Sequence, residues 1–120
     1  MQHTFRLTSS NLNQIKNGKK SVEIRLNDEK RQKIKVGDSI LFKDNENKKH
    51  ILTEVTKLMY FKNFEELFKN IDPSLGGWLK GTTPKKAAVD MKKYYSENQI
   101  ERIGVIAIFM NPQPIAFDGV

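Results

Sequence analysis

The sequence predicts an α+β domain in which a mixed sheet of about five strands is curled into a small barrel and flanked by short helices. Three observations carry this expectation. Five separate runs have strand character, the middle runs are joined as hairpins, and the helix signals are short. They do not alternate regularly with the strands, as a doubly wound parallel sheet would require. A chain of 120 residues fits one domain spanning 1–120, because two cores of half that size would each be too small to hold.

The elements follow in order. Residues 2–7 form a first strand. Thr8, Ser9 and Ser10 offer hydroxyl caps to a helix carrying Leu12, Ile15 and Lys16, which stops at Asn17-Gly18. Residues 19–26 alternate with period two, placing Val22, Ile24 and Leu26 on one face and Lys19, Ser21, Glu23 and Arg25 on the other, with Lys20 at the strand's mouth. Residues 27–33 are charged and polar throughout and form a loop or a short exposed helix outside the core. Val36-Gly37-Asp38 turns the chain into a strand over 39–43, and Asp44 to Asn47 connects it to a long strand over 51–59, long enough to bend.

In the second half, Asn63 caps a short helix whose Phe64, Leu67, Phe68 and Ile71 share one face. Residues 72–83 are rich in turn formers and contain the single Trp78. Thr83-Pro84 starts another helix, a hydroxyl cap followed by proline at the first helical position, with Ala87, Ala88, Met91, Tyr94 and Tyr95 directed inward. The continuous apolar run Ile103 to Met110 predicts a central strand buried on both faces, and residues 111–120 form a loose tail.

Composition narrows the chemistry. With Lys+Arg 21 against Asp+Glu 14 the net charge is +7. Residues 1–50 hold 12 basic and 6 acidic side chains and residues 51–120 hold 9 and 8, so most of the excess lies in the first half. That asymmetry suits a polyanionic partner, although a basic balance also serves solubility. The absence of cysteine excludes disulfides, thiolate metal sites and cysteine nucleophiles. The N-terminus does not read as a signal peptide and no apolar run approaches the roughly 20 residues of a membrane helix, so a cytoplasmic protein is expected. There is no Gly-rich phosphate loop, His-Glu-x-x-His pair or nucleophile elbow, and no cofactor or metal is called for. His3 and His50 stand alone and are read as exposed.

The charged face of 19–26 remains as the candidate site. Glu23 and Arg25 are two apart on one strand and point the same way. With Lys20 they can present donors and an acceptor to a phosphate and a base edge together. The plainer alternative is a solvated face whose charges pair weakly.

Gly18-x-Lys20-x-x-Glu23-x-Arg25, after a short helix and ahead of Val36-Gly37-Asp38-Ser39-Ile40-Leu41-Phe42, resembles the ASCH domain family, a branch of the PUA-like superfold. Asp28 to Ile34 and Met91-x-x-Tyr94-Tyr95-Ser96 are similar to the small bacterial single-domain members, so the likeness covers about residues 3–110. The resemblance implies a PUA-like barrel of five to six mixed strands with a cleft into which the motif strand projects. It also implies binding of single-stranded RNA or a nucleotide-like ligand, with Lys20, Glu23 and Arg25 at the motif positions.

On that reading Lys30, Arg31, Lys33 and Lys35 track a phosphate backbone, and Trp78, Tyr60 or Phe61 stacks on a base. A hydrolase of the same family is the alternative, either an N4-acetylcytidine amidohydrolase or a ribonuclease. Lys20 and Glu23 would then be catalytic, but Glu23 stands where the amidohydrolase has a threonine, and residues 72–83 offer only Asp72 as the loop acid. A protein-interaction module for a transcription or translation assembly is a third reading, for which Trp78 and Leu79 would supply the apolar contact.

Overall fold

The computed structural model describes residues 1–46 and 48–112. Five strands form one mixed sheet: β1 Gln2–Leu7, β2 Val22–Leu26, β3 Ser39–Asp44, β4 His50–Phe61 and β5 Val105–Pro112. Their order is β1-β3-β4-β5-β2, with β1 parallel to β3 and the other pairs antiparallel. The helices are α1 Ser9–Lys16, α2 Glu29–Gln32, α3 Phe64–Asn70, α4 Pro84–Met91 and α5 Glu97–Ile103, with a short 3-10 turn over Pro73–Leu75 between α3 and α4.

The caps are those the sequence predicts. Thr8 accepts from Asn11 N at the start of α1, Asn63 from Glu66 N at α3, and Thr83 from Lys86 N at α4. The charged stretch after β2 forms the exposed helix α2, with Asp28 as its cap. Strand β4 bends at an irregularity between Val55 and Lys57, so one long strand serves both halves of the sheet. The sheet thereby curls into a half-barrel.

Both faces of the sheet are covered. One core joins Val22, Ile24 and Leu26 of β2 to Phe64, Leu67 and Phe68 of α3, Ala87, Ala88 and Met91 of α4, and Ile100 of α5. The other, enclosed by the curl, joins Phe5 and Leu7 of β1, Ile40 and Phe42 of β3, and Ile106, Ile108 and Met110 of β5, with Leu12 and Ile15 of α1 against them. Strand β5 lies between the two, which is why Val105, Ile106, Ala107 and Ile108 are all buried.

The outer strands β1 and β2 approach each other through side chains. Arg25 Nη2 donates to Arg6 O at 3.3 Å, and Lys30 Nζ donates to Thr4 O at 2.7 Å. The two long cations thus satisfy carbonyls on the outer edge of β1, which β3 does not reach.

Several expectations are corrected. The strand expected over 103–110 begins at Val105, because Ser96-Glu97-Asn98-Gln99 starts α5. Ser96 Oγ accepts from Gln99 N at 3.1 Å and Gln99 Oε1 accepts from Ser96 N at 3.0 Å, a capping box. Gly104, at φ +74, then turns the chain, and a Cβ there would lie 2.9 Å from Phe61 O.

α4 ends at Met91, so Tyr94 falls beyond it and is exposed. His3 is buried with Phe5 and Leu7 on the inner face of β1, where Nε2 meets Asp38 Oδ2 at 2.8 Å; the neighbouring turn supplies the partner that makes burial acceptable. Asn111 and Pro112 belong to β5 and not to a tail, and the tail expected beyond them lies outside the described residues.

Candidate functional site

The site is built where the chain between α1 and β2 is pinned on two sides. Lys20 N donates to Gln14 O at the end of α1, and Ser21 N donates to Leu75 O of the segment after α3. Regular strand begins only at Val22. Without that irregularity, alternation would place Lys20 on the face of Val22; as folded, its ammonium reaches Glu23. Lys20 Nζ lies 3.0 Å from Glu23 Oε1 and donates to Gly76 O at 2.9 Å. Arg25 Nε donates to Glu23 Oε2 at 2.6 Å.

The charged face of β2 is therefore not wet. In the ladder Glu23 pairs with Ile108 and Arg25 with Ile106, so both carry the polarity of β2 onto the inner face. The side chains of Lys20 and Glu23 are 8% and 4% exposed, and that of Arg25 is 19% exposed. Burial pushes the Glu23 carboxyl up, but the Lys20 and Arg25 charges and their hydrogen bonds outweigh it, leaving Glu23 below the ordinary glutamate value. Burial acts against the Arg25 cation too, and the Glu23 carboxylate more than compensates.

These three side chains line a cleft of about 560 Å³. Its other walls are the end of β1 with the start of α1, the Gly76-Gly77-Trp78 segment, and the C-terminal end of α4 with the residues that follow. Gly77, at φ +100, packs so tightly on α1 that a Cβ would lie 2.6 Å from Gln14 Oε1, while Gln14 Nε2 donates to Gly77 O at 3.1 Å.

Trp78 is held on two sides. Its ring meets Phe68 edge-on at 5.2 Å, and Nε1 donates to Asp90 Oδ2 at 3.0 Å. Asp90 also accepts from Lys86 Nζ at 2.7 Å, and the Lys86 and Trp78 hydrogen bonds hold its carboxyl at about 2.

The structure thus brings Lys20, Glu23, Arg25 and Trp78 into one cleft. Lys30 and Arg31 lie outside it, over the Phe5 ring beside Arg25, and Arg31 is paired with Asp28 at 3.1 Å. Lys33 caps the C-terminal end of α2 and is exposed, and Lys35 is exposed near Asp38. Tyr60 is exposed on β4 and Phe61 packs against the helix-side core, and neither lines the cleft. Asp72 caps the 3-10 turn through Ser74 N and is likewise not a lining residue.

Sequence reasoning missed Arg6, Asn11 and Asp90 as lining residues; Tyr95 packs inward on Phe64 as expected and also reaches the cleft, whereas Tyr94, expected inward, is exposed at its rim. Nothing along the chain links Asp90 to Trp78, 12 residues away. Among the described residues no group of three or more His, Cys, Asp or Glu could hold a metal ion, and no helix is long and apolar enough to cross a membrane.

A curled mixed half-barrel with short helices, carrying a buried Lys-Glu-Arg constellation on and just before β2, defines an α+β fold of the PUA-like type. The ASCH domain family model matches residues 7–114, and the chain belongs to that family. Among solved structures, the crystal structure of the hypothetical protein PH0355 shares 29% identity, covers 94% of this chain and 100% of its own, and superposes with a TM-score of 0.82. The solution structure of protein PF0455 from Pyrococcus furiosus shares 27% identity over 93% of this chain and 97% of its own, with a TM-score of 0.72. A mutant ASCH protein from Zymomonas mobilis, at 12% identity and TM-score 0.65 over 96% of this chain and 76% of its own, shares the fold. No curated protein matches the chain.

Proposed function

We propose that this chain binds single-stranded RNA by taking one nucleotide into the cleft. The observation that carries the reading is the convergence of Lys20, Glu23 and Arg25 beside a fixed indole in a cleft of about 560 Å³. The volume suits a drug-sized or nucleotide-sized ligand and is too small for a folded partner. Glu23 still has lone pairs to accept from a base N–H, Arg25 has N–H groups beyond those given to Glu23 and Arg6, and the Trp78 ring gives the cleft an aromatic wall. The net charge of +7 adds long-range attraction for a polyanion.

The test is salt-dependent binding of short single-stranded RNA to the wild type and to Lys20→Met and Glu23→Gln, with thermal melts to verify folding. Folded variants should bind at least tenfold more weakly. Wild-type affinity in both would rule out the cleft.

A hydrolytic reading rests on the same buried Lys20–Glu23 pair, with the Asp90 carboxylate also lining the cleft. Binding is better supported, because Lys20 Nζ is already engaged by Gly76 O and Glu23, and Asp90 is committed to Trp78 and Lys86. Turnover of N4-acetylcytidine or RNA, abolished by Lys20→Met, would reverse that preference.

A further inference from the structure

Outside the cleft, the seam between β1 and β2 carries a second concentration of charge. Arg31 Cζ lies 4.5 Å, Arg25 Cζ 4.9 Å and Lys30 Nζ 5.4 Å from the centroid of the Phe5 ring. Cations over an aromatic face are favourable, but three around one ring repel each other unless anions intervene. Two carboxylates answer them: Glu23 pairs with Arg25 and Asp28 with Arg31. Lys30 has no carboxylate partner among the described residues, and its hydrogen bond goes to the neutral carbonyl of Thr4. Burial against the seam and the Arg31 and Arg25 charges together lower the Lys30 ammonium below the ordinary lysine value. In addition, Arg31 Nε is buried and has no hydrogen-bond partner among the described residues.

The opposite rim of the cleft is different. There Asp90 answers Lys86 and lies 3.5 Å from Lys93, so each of those cations has a carboxylate beside it. Arg25 is shared between the cleft and the seam, lining the first and facing Phe5 in the second. A strand leaving the cleft across Arg25 meets Lys30, which no carboxylate answers among the described residues, whereas one leaving past Asp90 meets a carboxylate.

We propose that the β1–β2 seam is a phosphodiester site, where single-stranded RNA with one nucleotide in the cleft continues across Arg25 onto Lys30 and Arg31. The inference rests on the cleft reading and gives the bound strand a direction. Phosphate oxygens would supply the anion that Lys30 lacks and would meet the positive field of Arg31, and the contacts would be independent of base sequence.

The test compares Lys30→Gln, which keeps a donor for Thr4 O but removes the charge, with Lys69→Gln, an exposed cation at the end of α3. Each is titrated with a mixed-sequence single-stranded RNA octamer at several salt concentrations, alongside Arg31→Gln and Lys20→Met. Lys30→Gln should weaken binding by about 3–10-fold at low salt and reduce the salt slope by about 0.7, the contribution of one phosphate contact on a single strand. Arg31→Gln should act in the same direction, and Lys69→Gln should stay within about twofold of wild type.

If Lys30→Gln matches Lys69→Gln while Lys20→Met abolishes binding, the seam is overturned and the cleft stands. If Lys30→Gln weakens binding while Lys20→Met does not, the cleft falls and the seam remains as the anion site. A wild type that binds no RNA overturns both.

Discussion

The two faces of β2 are both buried, yet they are held by different physics. On one face Val22, Ile24 and Leu26 pack into the helix-side core, where each apolar group removed from water contributes and no partner is required. On the other, Glu23 and Arg25 enter the inner face beside Ile108 and Ile106, where burial is tolerable only because Lys20, Glu23 and Arg25 satisfy one another. The apolar face builds stability by area. The charged face gains little net stability but keeps three pre-oriented polar groups at the wall of a cleft.

That contrast can be broken most sharply at Glu23. Glu23→Ala leaves Lys20 and Arg25 buried without their anion, and equilibrium unfolding should show a loss of about 3–5 kcal/mol. Glu23→Gln, which keeps the shape and one acceptor, should lose less. Leu26→Ala on the apolar face should cost about 2–4 kcal/mol through lost transfer energy and a cavity, while RNA binding by the folded fraction stays at the wild-type level. If Leu26→Ala impaired binding as strongly as Glu23→Gln, the separation of roles between the faces would fail.

Smaller effects sharpen the picture. Trp78→Phe removes the N–H that Asp90 accepts and should destabilise less than Leu26→Ala, yet it should loosen the cleft wall and weaken ligand binding severalfold. The acid limb should be gentler still. Asp38 is held at about 2 by His3, the Lys35 N–H and the N-terminus, so its stabilisation is complete above the ordinary value of 3.8 and is lost as pH falls towards about 2. His3→Gln should flatten the stability profile in that window, and an unchanged slope would show that the Asp38 cluster is not the cause.

Much of the fold was legible because its signals are local. Thr8, Asn63 and Thr83 announce helix starts by side chain, Pro84 fits only a first helical turn, and the alternation of 22–26 fixes which residues share a face. The helix α5 was equally local, since Ser96 and Gln99 spell a capping box, but the apolar Ile103 beside it was drawn into the following strand. His3 was misread because its partner Asp38 is 35 residues away.

For the site, the sequence by itself determined the chemistry: two cations and a carboxylate on one short segment, in a spacing that lets Glu23 and Arg25 point together. Only the tertiary structure decided that this face turns inward, that Lys20 joins it, and that Trp78 and Asp90 stand across from it. Alternation distinguishes two faces of a strand without saying which one meets water. That choice is made by the closure of β1 towards β2, by α3, α4 and α5 covering the apolar face, and by Leu75 and Gly76 binding the chain at Ser21 and Lys20. Each of these depends on contacts between residues far apart in the chain, whose loop-closure cost no local pattern encodes.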